Sequence, residues 1–326
     1  MADALITGGL GFIGRGLAEG LLARGARVRV LDNLRRGDES KLRRGAADVD
    51  VIIGDIRDPD VAERAVAGCD TVYHLAAING TRNFYERPRE VLEVGILGTH
   101  NVLDAAIRNG VTRFLFMSSS EVYQTPSRLP TDETEPLRLP DPLNPRYSYG
   151  GSKIAGEIMA INYGREAFER LVVVRPHNVY GPNMGFDHVV PELALKILRA
   201  RAAAPGGEPV AVELQGDGRA TRAFVYIDDF VDGAVLAMEA GEHLGLYHVG
   251  SEEELSILAL AERIAAALGV SARFTTGDAP AGQTQRRCPE TARIRALGFA
   301  PRVGLSEGLP RALESVRAHF RQQAEA

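Results

Sequence analysis

The feature that most constrains the fold is a set of three glycines that follows the first apolar run of the chain. Residues 4–7 predict a short strand, and residues 13–24 predict a helix. Between and just inside these elements lie Gly8, Gly11 and Gly14. In this order the glycines allow a tight turn, a close approach of the backbone to a pyrophosphate, and close packing of the helix on the strand. The segment therefore predicts an α/β fold that binds a dinucleotide at the N-terminus of its first helix.

Short apolar runs alternate with helical patterns through the rest of the first half. Such alternation is typical of βαβ units and hence of a parallel sheet. Further strands are expected at residues 27–31, 51–53, 71–75, 113–117 and 171–175, and the two longest helices at residues 91–109 and 149–166. The predicted fold class is α/β, with a doubly wound parallel sheet of the Rossmann type.

The pattern changes after Pro176, where prolines and glycines interrupt it. A strand is expected over residues 223–227, within a stretch that would return the chain to the first domain. We therefore predict a Rossmann domain and a smaller C-terminal α/β substrate-binding lobe. The predicted ranges are 1–176 for the Rossmann domain, with a return of roughly 223–250, and 177–222 and 251–326 for the lobe. The Pro-rich stretch over residues 126–145 predicts a long loop, which is either a lid over a site or a plain surface excursion.

Composition excludes several classes of partner. The chain has 38 basic and 43 acidic residues, a net charge of -5, and no block of like charge that resembles a nucleic-acid-binding tail. Its two cysteines, Cys69 and Cys288, are too few for a disulfide framework and lack metal-ligand spacing. There is no signal-peptide pattern, and no stretch approaches about 18 apolar residues. We expect a cytoplasmic protein with no nucleic-acid partner, no membrane span and no bound metal.

An acidic residue at the end of the second strand indicates which dinucleotide is bound. Asp32 follows the glycines by about 20 residues, where a carboxylate accepts hydrogen bonds from ribose hydroxyls and repels a 2′-phosphate. It predicts NAD rather than NADP, although Arg35 and Arg36 follow closely and would tolerate the phosphate. Two later strand ends fit the same cofactor, with Asp55 near the adenine and residues 75–77 beside the phosphates.

A tyrosine and a lysine four residues apart predict the catalytic pair. Tyr149 and Lys153 share one face of a helix. A nearby ammonium and a cationic nicotinamide ring would lower the pKa of the tyrosine from about 10, so that it takes a proton from a substrate hydroxyl while hydride leaves the same carbon. Ser119 and Glu121 follow the strand at 113–117, on the edge of the sheet where ligands bind. Ser119 would hydrogen-bond the same oxygen, and Glu121 would offer a second acid or base.

At this point the residues resemble those of a known family, the extended short-chain dehydrogenase/reductases, and within it the nucleotide-sugar epimerases, dehydratases and decarboxylases. The resemblance covers nearly the whole chain, with motifs in the family's order at similar intervals. The motifs are Thr7-Gly-Gly-Leu-Gly-Phe-Ile-Gly14, Asp32-Asn33, His74-Leu-Ala-Ala77, Ser118-Ser-Ser-Glu-Val-Tyr123, Tyr149-x-x-x-Lys153, Arg175-Pro-His-Asn-Val-Tyr-Gly-Pro182 and Thr221-Arg-Ala-Phe-Val-Tyr-Ile-Asp-Asp229.

The resemblance implies roles for individual residues: Tyr149 as base, Lys153 as its activator and a ribose ligand, and Ser119 as the hydroxyl partner. It also implies NAD as cofactor, a nucleotide-diphosphate sugar as substrate, and a homodimer built by helix pairing. The predicted catalytic residues are Tyr149, Lys153, Ser119, Ser120 and Glu121. The predicted cofactor-binding residues are Gly8, Gly11, Phe12, Ile13, Gly14, Asp32, Asn33, Asp55, Ile56, Leu75, Ala76, Ala77 and Lys153. The predicted substrate-binding residues are Asn178, His188, Arg222 and Arg287, the arginines because their planar fork suits a diphosphate.

The sequence departs from the family pattern at three positions. Gly95 stands where an asparagine is common, which removes a polar contact near the nicotinamide end. Gln124 stands where a glycine commonly follows Val-Tyr, and Ser120 occupies the position of an acidic residue in the dehydratases.

These departures bear on which reaction follows the shared oxidation at C4 of the sugar. A 4-epimerase needs only the tyrosine, the hydroxyl partner and room for the keto-sugar to turn, so it is our first expectation. A 4,6-dehydratase needs a neighbouring Asp–Glu pair, of which Ser120-Glu121 supplies only the glutamate. The Ser-Ser-Glu run is also similar to sugar-acid decarboxylases, whose β-keto acid readily loses carbon dioxide. A non-catalytic NAD-binding structural or regulatory protein is the alternative of another class, and retention of both Tyr149 and Lys153 argues against it.

Overall fold

The computed structural model describes residues 3–37, 49–206, 209–278 and 284–325. Its strands are β1 (Ala4–Thr7), β2 (Val28–Asp32), β3 (Val49–Ile53), β4 (Thr71–His74), β5 (Arg113–Met117), β6 (Arg170–Pro176), β7 (Val179–Tyr180), β8 (Val210–Leu214), β9 (Thr221–Ala223), β10 (Val225–Tyr226), β11 (Gly245–Val249), β12 (Glu254–Ser256), β13 (Ala272–Thr276) and β14 (Arg286–Arg287). Its helices are α1 (Phe12–Ala23), α2 (Pro59–Val66), α3 (Thr81–Glu86), α4 (Pro88–Leu92), α5 (Thr99–Arg108), α6 (Ser148–Gly164), α7 (Val189–Ala203), α8 (Ile227–Ala240), α9 (Ile257–Leu268), α10 (Ala292–Ala296) and α11 (Leu305–Glu325). The predicted domain ranges also include residues 1–2, 38–48, 207–208, 279–283 and 326, which lie outside the described residues.

Seven parallel strands form the central sheet, in the order β11-β6-β5-β4-β1-β2-β3. The order reverses next to β1, which is the crossover typical of a doubly wound fold. All four residues of β1 and residues 171–174 of β6 are buried, as expected for strands covered by helices on both faces. The predicted α/β Rossmann fold is confirmed, and the predicted strands at 4–7 and 113–117 have the observed bounds.

Helices cover both faces of this sheet and create two apolar cores. Because successive strand residues point to opposite faces, Ile6 of β1 packs in one core with Leu17 of α1 and Phe230 of α8. Leu5 packs in the other core, together with Leu103 of α5. The ends of the strands are therefore fixed by packing on both sides. Of the helices formed by described residues, none combines the length and apolar character needed to cross a membrane.

The predicted single strand over residues 223–227 is wrong. The chain forms two short strands, β9 and β10, that pair in different small sheets, and α8 begins at Ile227. Asp228 and Asp229 lie in the first turn of α8, where carboxylates favour a helix N-terminus. The chain returns to the central sheet through β11, which pairs with β6. The small sheets formed by β7 to β10 and β12 to β14 lie in the segments assigned to the substrate-binding lobe, and that division of the chain stays a prediction.

The Pro-rich loop over residues 126–145 is pinned to the rest of the fold. Buried Glu133 accepts a hydrogen bond from the backbone N–H of His248 at 2.9 Å, and the N–H of Thr131 donates to the carbonyl oxygen of Cys288 at 2.9 Å. No residue from 125 to 144 lines the cavity described below. These contacts favour an anchored surface excursion over a lid.

Candidate active site

A cavity of about 920 Å³ lies at the carboxyl ends of the central strands, where doubly wound sheets bind their ligands. All residues predicted for catalysis and for cofactor binding line it. Of the predicted substrate-binding residues, Asn178, His188 and Arg287 line it as well, whereas Arg222 does not. The fold thus gathers side chains that are far apart in the sequence into one cleft.

The glycine loop at one end of the cavity has the shape that a diphosphate requires. Gly8 has a φ of +68°, and a Cβ there would lie 2.9 Å from the Cα of Ala76. A Cβ on Gly14 would lie 2.2 Å from the carbonyl oxygen of Gly8. Helix α1 has Gly11 at its N-cap and no side chain that caps it, so its first N–H groups are available to an anion. These residues fit the diphosphate of a dinucleotide.

Asp32 lies at the end of β2 and is nearly buried, with 8% exposure. Its Oδ2 accepts a hydrogen bond from the N–H of Leu10 at 3.0 Å, and its Oδ1 accepts one from the N–H of Leu34 at 2.9 Å. Each carboxylate oxygen has two acceptor positions, so Asp32 can fix both loops and still accept a ribose hydroxyl.

Asp55 is held by its own neighbours at the adjacent strand end. Arg57 donates to its two carboxylate oxygens at 3.0 and 2.8 Å, and the amide of Asn33 donates at 3.2 Å. The hydrogen bonds from Arg57 are the main reason that the pKa of Asp55 falls to about 2. Asp55 is therefore an ionised acceptor at the predicted adenine end.

A buried histidine orients the backbone that follows β4. Thr99 donates from Oγ1 to the carbonyl oxygen of Gly95 at 2.8 Å, so it accepts from Nε2 of His74 at 3.0 Å. This assigns the Nε2–H tautomer, and Nδ1 then accepts from Thr7 at 2.8 Å. The Thr7 oxygen in turn accepts the N–H groups of residues 75 and 76, both at 3.2 Å. Burial lowers the pKa of His74 to about 3 and keeps it neutral, which this hydrogen-bond pattern requires.

The glycine at position 95 has a packing reason. The predicted helix over residues 91–109 is interrupted, because a π-helical segment, Glu93–Gly98, lies between α4 and α5. Within that segment a Cβ on Gly95 would lie 2.6 Å from both Cβ and Oγ of Ser152 on α6. The approach of α6 therefore fills the space that a larger side chain would need.

Tyr149 is buried in the first turn of α6. Its ring stacks on Phe84 with a centroid separation of 5.1 Å, and it hydrogen-bonds Ser119. Burial raises the pKa of Tyr149 to about 12, and the hydrogen bond from Ser119 only partly offsets this effect. Burial thus acts against the lowering that the sequence predicts for this pKa, so the protein groups around the phenol do not by themselves make it a base at neutral pH.

Lys153 lies one turn further along α6, with its Nζ 5.8 Å from the centre of the Tyr149 ring. Nζ donates to the carbonyl oxygen of Met117 at 2.7 Å. Burial lowers the pKa of Lys153 to about 8, and the negative charge of Glu157, one further turn along, acts in the opposite direction. The ammonium is therefore held in a fixed place beside the tyrosine, with a pKa close to neutrality.

Glu121 lies beside the predicted hydroxyl partner and carries an ion pair. The oxygen of Ser119 accepts the N–H of Glu121 at 3.2 Å, which fixes the turn after β5. The Glu121 carboxylate accepts from Nη1 of Arg287 at 3.0 Å, and a guanidinium nitrogen of Arg146 lies 3.8 Å away. Burial pushes the pKa of Glu121 upward, but Arg287 and Arg146 outweigh it and the pKa is lowered. The cavity therefore contains an ionised carboxylate beside arginines.

Arg222 lies next to this cluster but has other hydrogen-bond partners. Its guanidinium donates to the carbonyl oxygens of Thr221 and Thr284, both at 2.7 Å. Burial, and then repulsion from Arg287, lower its pKa to about 10. Its predicted contact with a diphosphate stays a prediction.

The two other predicted substrate-binding residues lie on the wall of the cavity. Asn178 has a φ of +45°, which asparagine tolerates, and its amide donates to the carbonyl oxygen of Ala223 at 2.8 Å. His188 precedes α7, and burial lowers its pKa to about 4, so it is neutral. Among the predicted catalytic residues Ser120 is buried at 5% exposure, as are Lys153 at 4% and Tyr149 at 6%.

Sequence reasoning missed several residues that shape the site. Arg146 stands three residues before Tyr149, directly after the Pro-rich loop. Nothing in this local sequence indicates that it would lie beside Glu121. Glu157 stands four residues after Lys153, a spacing that places both on one face of the helix and could have indicated it. The C-terminal helix α11 also contributes to the cavity wall through Ser315, Ala318, His319 and Gln322.

Comparison with known proteins places the chain in a family. The sequence pattern of the NAD dependent epimerase/dehydratase family matches residues 4–250. The chain belongs to this family, as the resemblance in its motifs implies. NAD is accordingly its cofactor, and the glycine loop and Asp32 are the residues that would hold it.

Individual relatives show which chemistries this chain is similar to. UDP-glucuronic acid decarboxylase 1 of Arabidopsis thaliana is 32% identical over 318 residues, which cover 96% of this chain and 69% of the relative. The solved structure of UDP-glucose 4-epimerase from Thermotoga maritima with UDP-glucose has a TM-score of 0.85 at 29% identity, over 97% of this chain and 99% of that one. The Thermus thermophilus UDP-glucose 4-epimerase complex with NAD has a TM-score of 0.81 at 30% identity, over 96% and 98% of the two chains.

Proposed function

We propose that the protein is an NAD-dependent decarboxylase of a nucleotide-linked sugar acid, with UDP-glucuronic acid as the first substrate to test. The observation that carries the proposal is the ion pair between Glu121 and Arg287 in the same cavity as Tyr149. An epimerase has no need of this pair. The similarity to a UDP-glucuronic acid decarboxylase over nearly the whole chain supports the proposal, and we therefore rank this reaction ahead of our first expectation, a 4-epimerase.

The reaction begins with oxidation at C4 of the sugar. Tyr149 takes the proton of the C4 hydroxyl, and Ser119 donates a hydrogen bond to the same oxygen. NAD, which the glycine loop and Asp32 would hold, would supply the hydride acceptor and donor for C4 and a positively charged ring that lowers the pKa of Tyr149. Lys153 adds a second positive charge 5.8 Å from the tyrosine ring. The raised pKa of Tyr149 therefore restricts proton removal to the assembled complex.

The second step breaks the bond between C5 and the carboxylate carbon. In the C4 ketone this carboxylate is in the β position, so the electron pair of the breaking bond moves into a C4–C5 enolate and carbon dioxide leaves. A proton then adds to C5, which regenerates the ketone that is reduced at C4. In this proposal Arg287 pairs with the substrate carboxylate, instead of the diphosphate expected from the sequence, and orients the breaking bond. Arg146 keeps the charge of Glu121 balanced when Arg287 does so. Glu121 accepts a hydrogen bond from the water that delivers the proton to C5, and Tyr149 returns its proton to the C4 oxygen when the ketone is reduced.

A 4-epimerase is the second candidate. The likeness to UDP-glucose 4-epimerase structures and the pairing of Ser119 with Tyr149 support it, because these two side chains suffice for that reaction. A 4,6-dehydratase is less well supported, since Ser120 cannot act as the acid for a departing 6-hydroxyl.

Mass spectrometry of a panel of UDP-sugars and UDP-sugar acids, incubated with the full-length protein and no added reductant, separates these functions. Decarboxylation gives a product lighter by one carbon dioxide and only from the sugar acids. An altered chromatographic position at unchanged mass would replace the proposal by epimerisation. Loss of water would replace it by dehydration, and no change with any compound would favour a non-catalytic NAD-binding protein.

We also propose that the protein is a homodimer that pairs through α5 and α6. Large apolar side chains remain exposed on this side of the fold: Leu97 at 54%, Ile158 at 55% and Tyr163 at 42%. A second copy of the chain would cover them, in line with the homodimer built by helix pairing that the family resemblance implies.

A further inference from the structure

An arginine on the loop after β2 reaches across the cavity. Arg36 lines the cavity, and its Nη1 donates to the carbonyl oxygen of Asn79, beyond the end of β4, at 3.0 Å. Its Nη2 lies 2.4 Å from the position that a Cβ on Gly185 would occupy, so the absence of a side chain there makes room for the guanidinium. Arg36 thus connects the loop after β2 with two other walls of the same cleft.

The charge of Arg36 affects the pKa values of two groups in the site, Tyr149 and His188. Burial sets the main shift in the pKa of both Tyr149 and His188, and Arg36 adds an electrostatic contribution that lowers both values. The positive charge of the neighbouring Arg35 is neutralised locally, because its guanidinium forms an ion pair with Glu90. The two arginines that the sequence places together therefore have separate roles.

The same cavity contains the uncapped N-terminus of α1, which is the expected seat of the cofactor diphosphate. The partner of Arg36 at Asn79 is a neutral carbonyl oxygen. Exchange of this bond for bonds to a phosphate is favourable, because the anion adds a Coulombic attraction to the guanidinium that the neutral carbonyl lacks. The arginine fork is also suited to bidentate contact with phosphate oxygens.

We infer that Arg36 binds the diphosphate of NAD and retains the cofactor on the protein between turnovers. Retention is useful here, because each reaction open to this family member returns NAD to its starting oxidation state and needs no exchange of cofactor. The inference rests on NAD as the cofactor and is independent of whether the proposed decarboxylation is correct.

The test is the rate at which isotopically labelled NAD leaves the full-length, NAD-loaded protein in excess unlabelled NAD. We expect Arg36→Ala to speed the release about tenfold to a hundredfold, the range for loss of a charge-assisted hydrogen bond, and Arg36→Lys to restore part of the retention. The matched control is Arg35→Ala, the adjacent arginine, which we expect to change the rate by less than about threefold. Circular dichroism checks that each variant is folded. If Arg36→Ala is unfolded, Arg36→Gln is used in its place.

Three results would overturn the inference. One is a release rate within about twofold of the parent protein for both Arg36→Ala and Arg36→Gln. Another is an equal acceleration in Arg35→Ala, which would point to a general effect on the loop. The third is weaker binding of NADP with unchanged release of NAD, which would assign Arg36 to a 2′-phosphate. None of these measurements uses the sugar substrate, so failure of the proposed reaction leaves the test intact.

Discussion

Replacement of Glu157 by glutamine removes one half of an ion pair that is almost entirely inside the protein. Glu157 and Arg175 have side chains that are 2% and 3% exposed, and the carboxylate receives two hydrogen bonds from the guanidinium at 2.8 and 2.6 Å. Glutamine keeps the shape but leaves the charge of Arg175 buried without its partner. Removal of one member of such a pair costs about 3–5 kcal/mol. We expect the free energy of unfolding of Glu157→Gln to fall by that amount.

The same substitution has a second effect that a purely structural role would not produce. The negative charge of Glu157 raises the pKa of Lys153, against the burial that lowers it to about 8. Without that charge the pKa falls further, so Lys153 loses its proton at a lower pH. Because the protonated form assists Tyr149, the alkaline limb of the pH–activity profile moves to lower pH. Glu157→Asp keeps the charge and should restore part of both properties.

Urea unfolding followed by circular dichroism gives the stability, and initial rates between pH 6 and 10 give the profile. The matched control is Glu307→Gln, which breaks an ion pair with Arg311 whose side chains are about half exposed. Exposed pairs of this kind contribute about 0–1 kcal/mol. A loss of stability in Glu157→Gln no larger than in this control, together with an unmoved alkaline limb, would refute the reasoning.

Three further predictions concern stability, cofactor choice and assembly. His74 and His248 are buried with pKa values of about 3, whereas unfolded histidine titrates near 6.5, so stability should be constant above pH 7 and fall below about pH 6.5 by about 1.4 kcal/mol per pH unit for each. Urea unfolding at pH 7.5 and 5.5 measures this loss, and equal stability at both would contradict it. Asp32→Asn, which keeps an acceptor but removes the charge, should raise the affinity for NADP relative to NAD by calorimetric titration, and an unchanged ratio would remove Asp32 from cofactor selection. Ile158→Glu should convert the protein to a monomer by light scattering, with Tyr85→Glu, another exposed apolar position, as the control that leaves assembly unchanged.

The elements that the sequence predicted well are those with a strong local signal. The first strand, the glycine loop and α1 were predicted from apolar periodicity and from the spacing of the glycines. At Gly14 the structure leaves no room for a Cβ, which explains why a glycine is needed there. The cofactor residues follow because carboxyl ends of parallel strands meet at one edge of a sheet. Asp32 and residues 75–77 each follow a predicted parallel strand, and this was enough to predict that they lie in one cleft.

The remaining features depend on contacts between distant parts of the chain. Strands β9 and β10 have three and two residues and pair in different sheets, so no local pattern separates them. Arg146 meets Glu121 only because the pinned loop brings it back to the end of β5. The raised pKa of Tyr149 in the protein without cofactor was not predicted, because the sequence shows neighbouring charges but not the depth of burial. The reach of Arg36 across the cleft likewise depends on the fold.

The most direct test of the proposed function follows the carboxylate carbon itself. UDP-glucuronic acid labelled with carbon-13 at that position is incubated with the full-length protein, and the gas released on acidification and the remaining nucleotide sugar are both analysed by mass spectrometry. We predict labelled carbon dioxide and an unlabelled UDP-pentose with the parent protein, and neither with Tyr149→Phe, which keeps the ring that stacks on Phe84 but removes the acid–base group. Label that stays entirely in a UDP-sugar of altered chromatographic position would contradict decarboxylation and identify the protein as an epimerase.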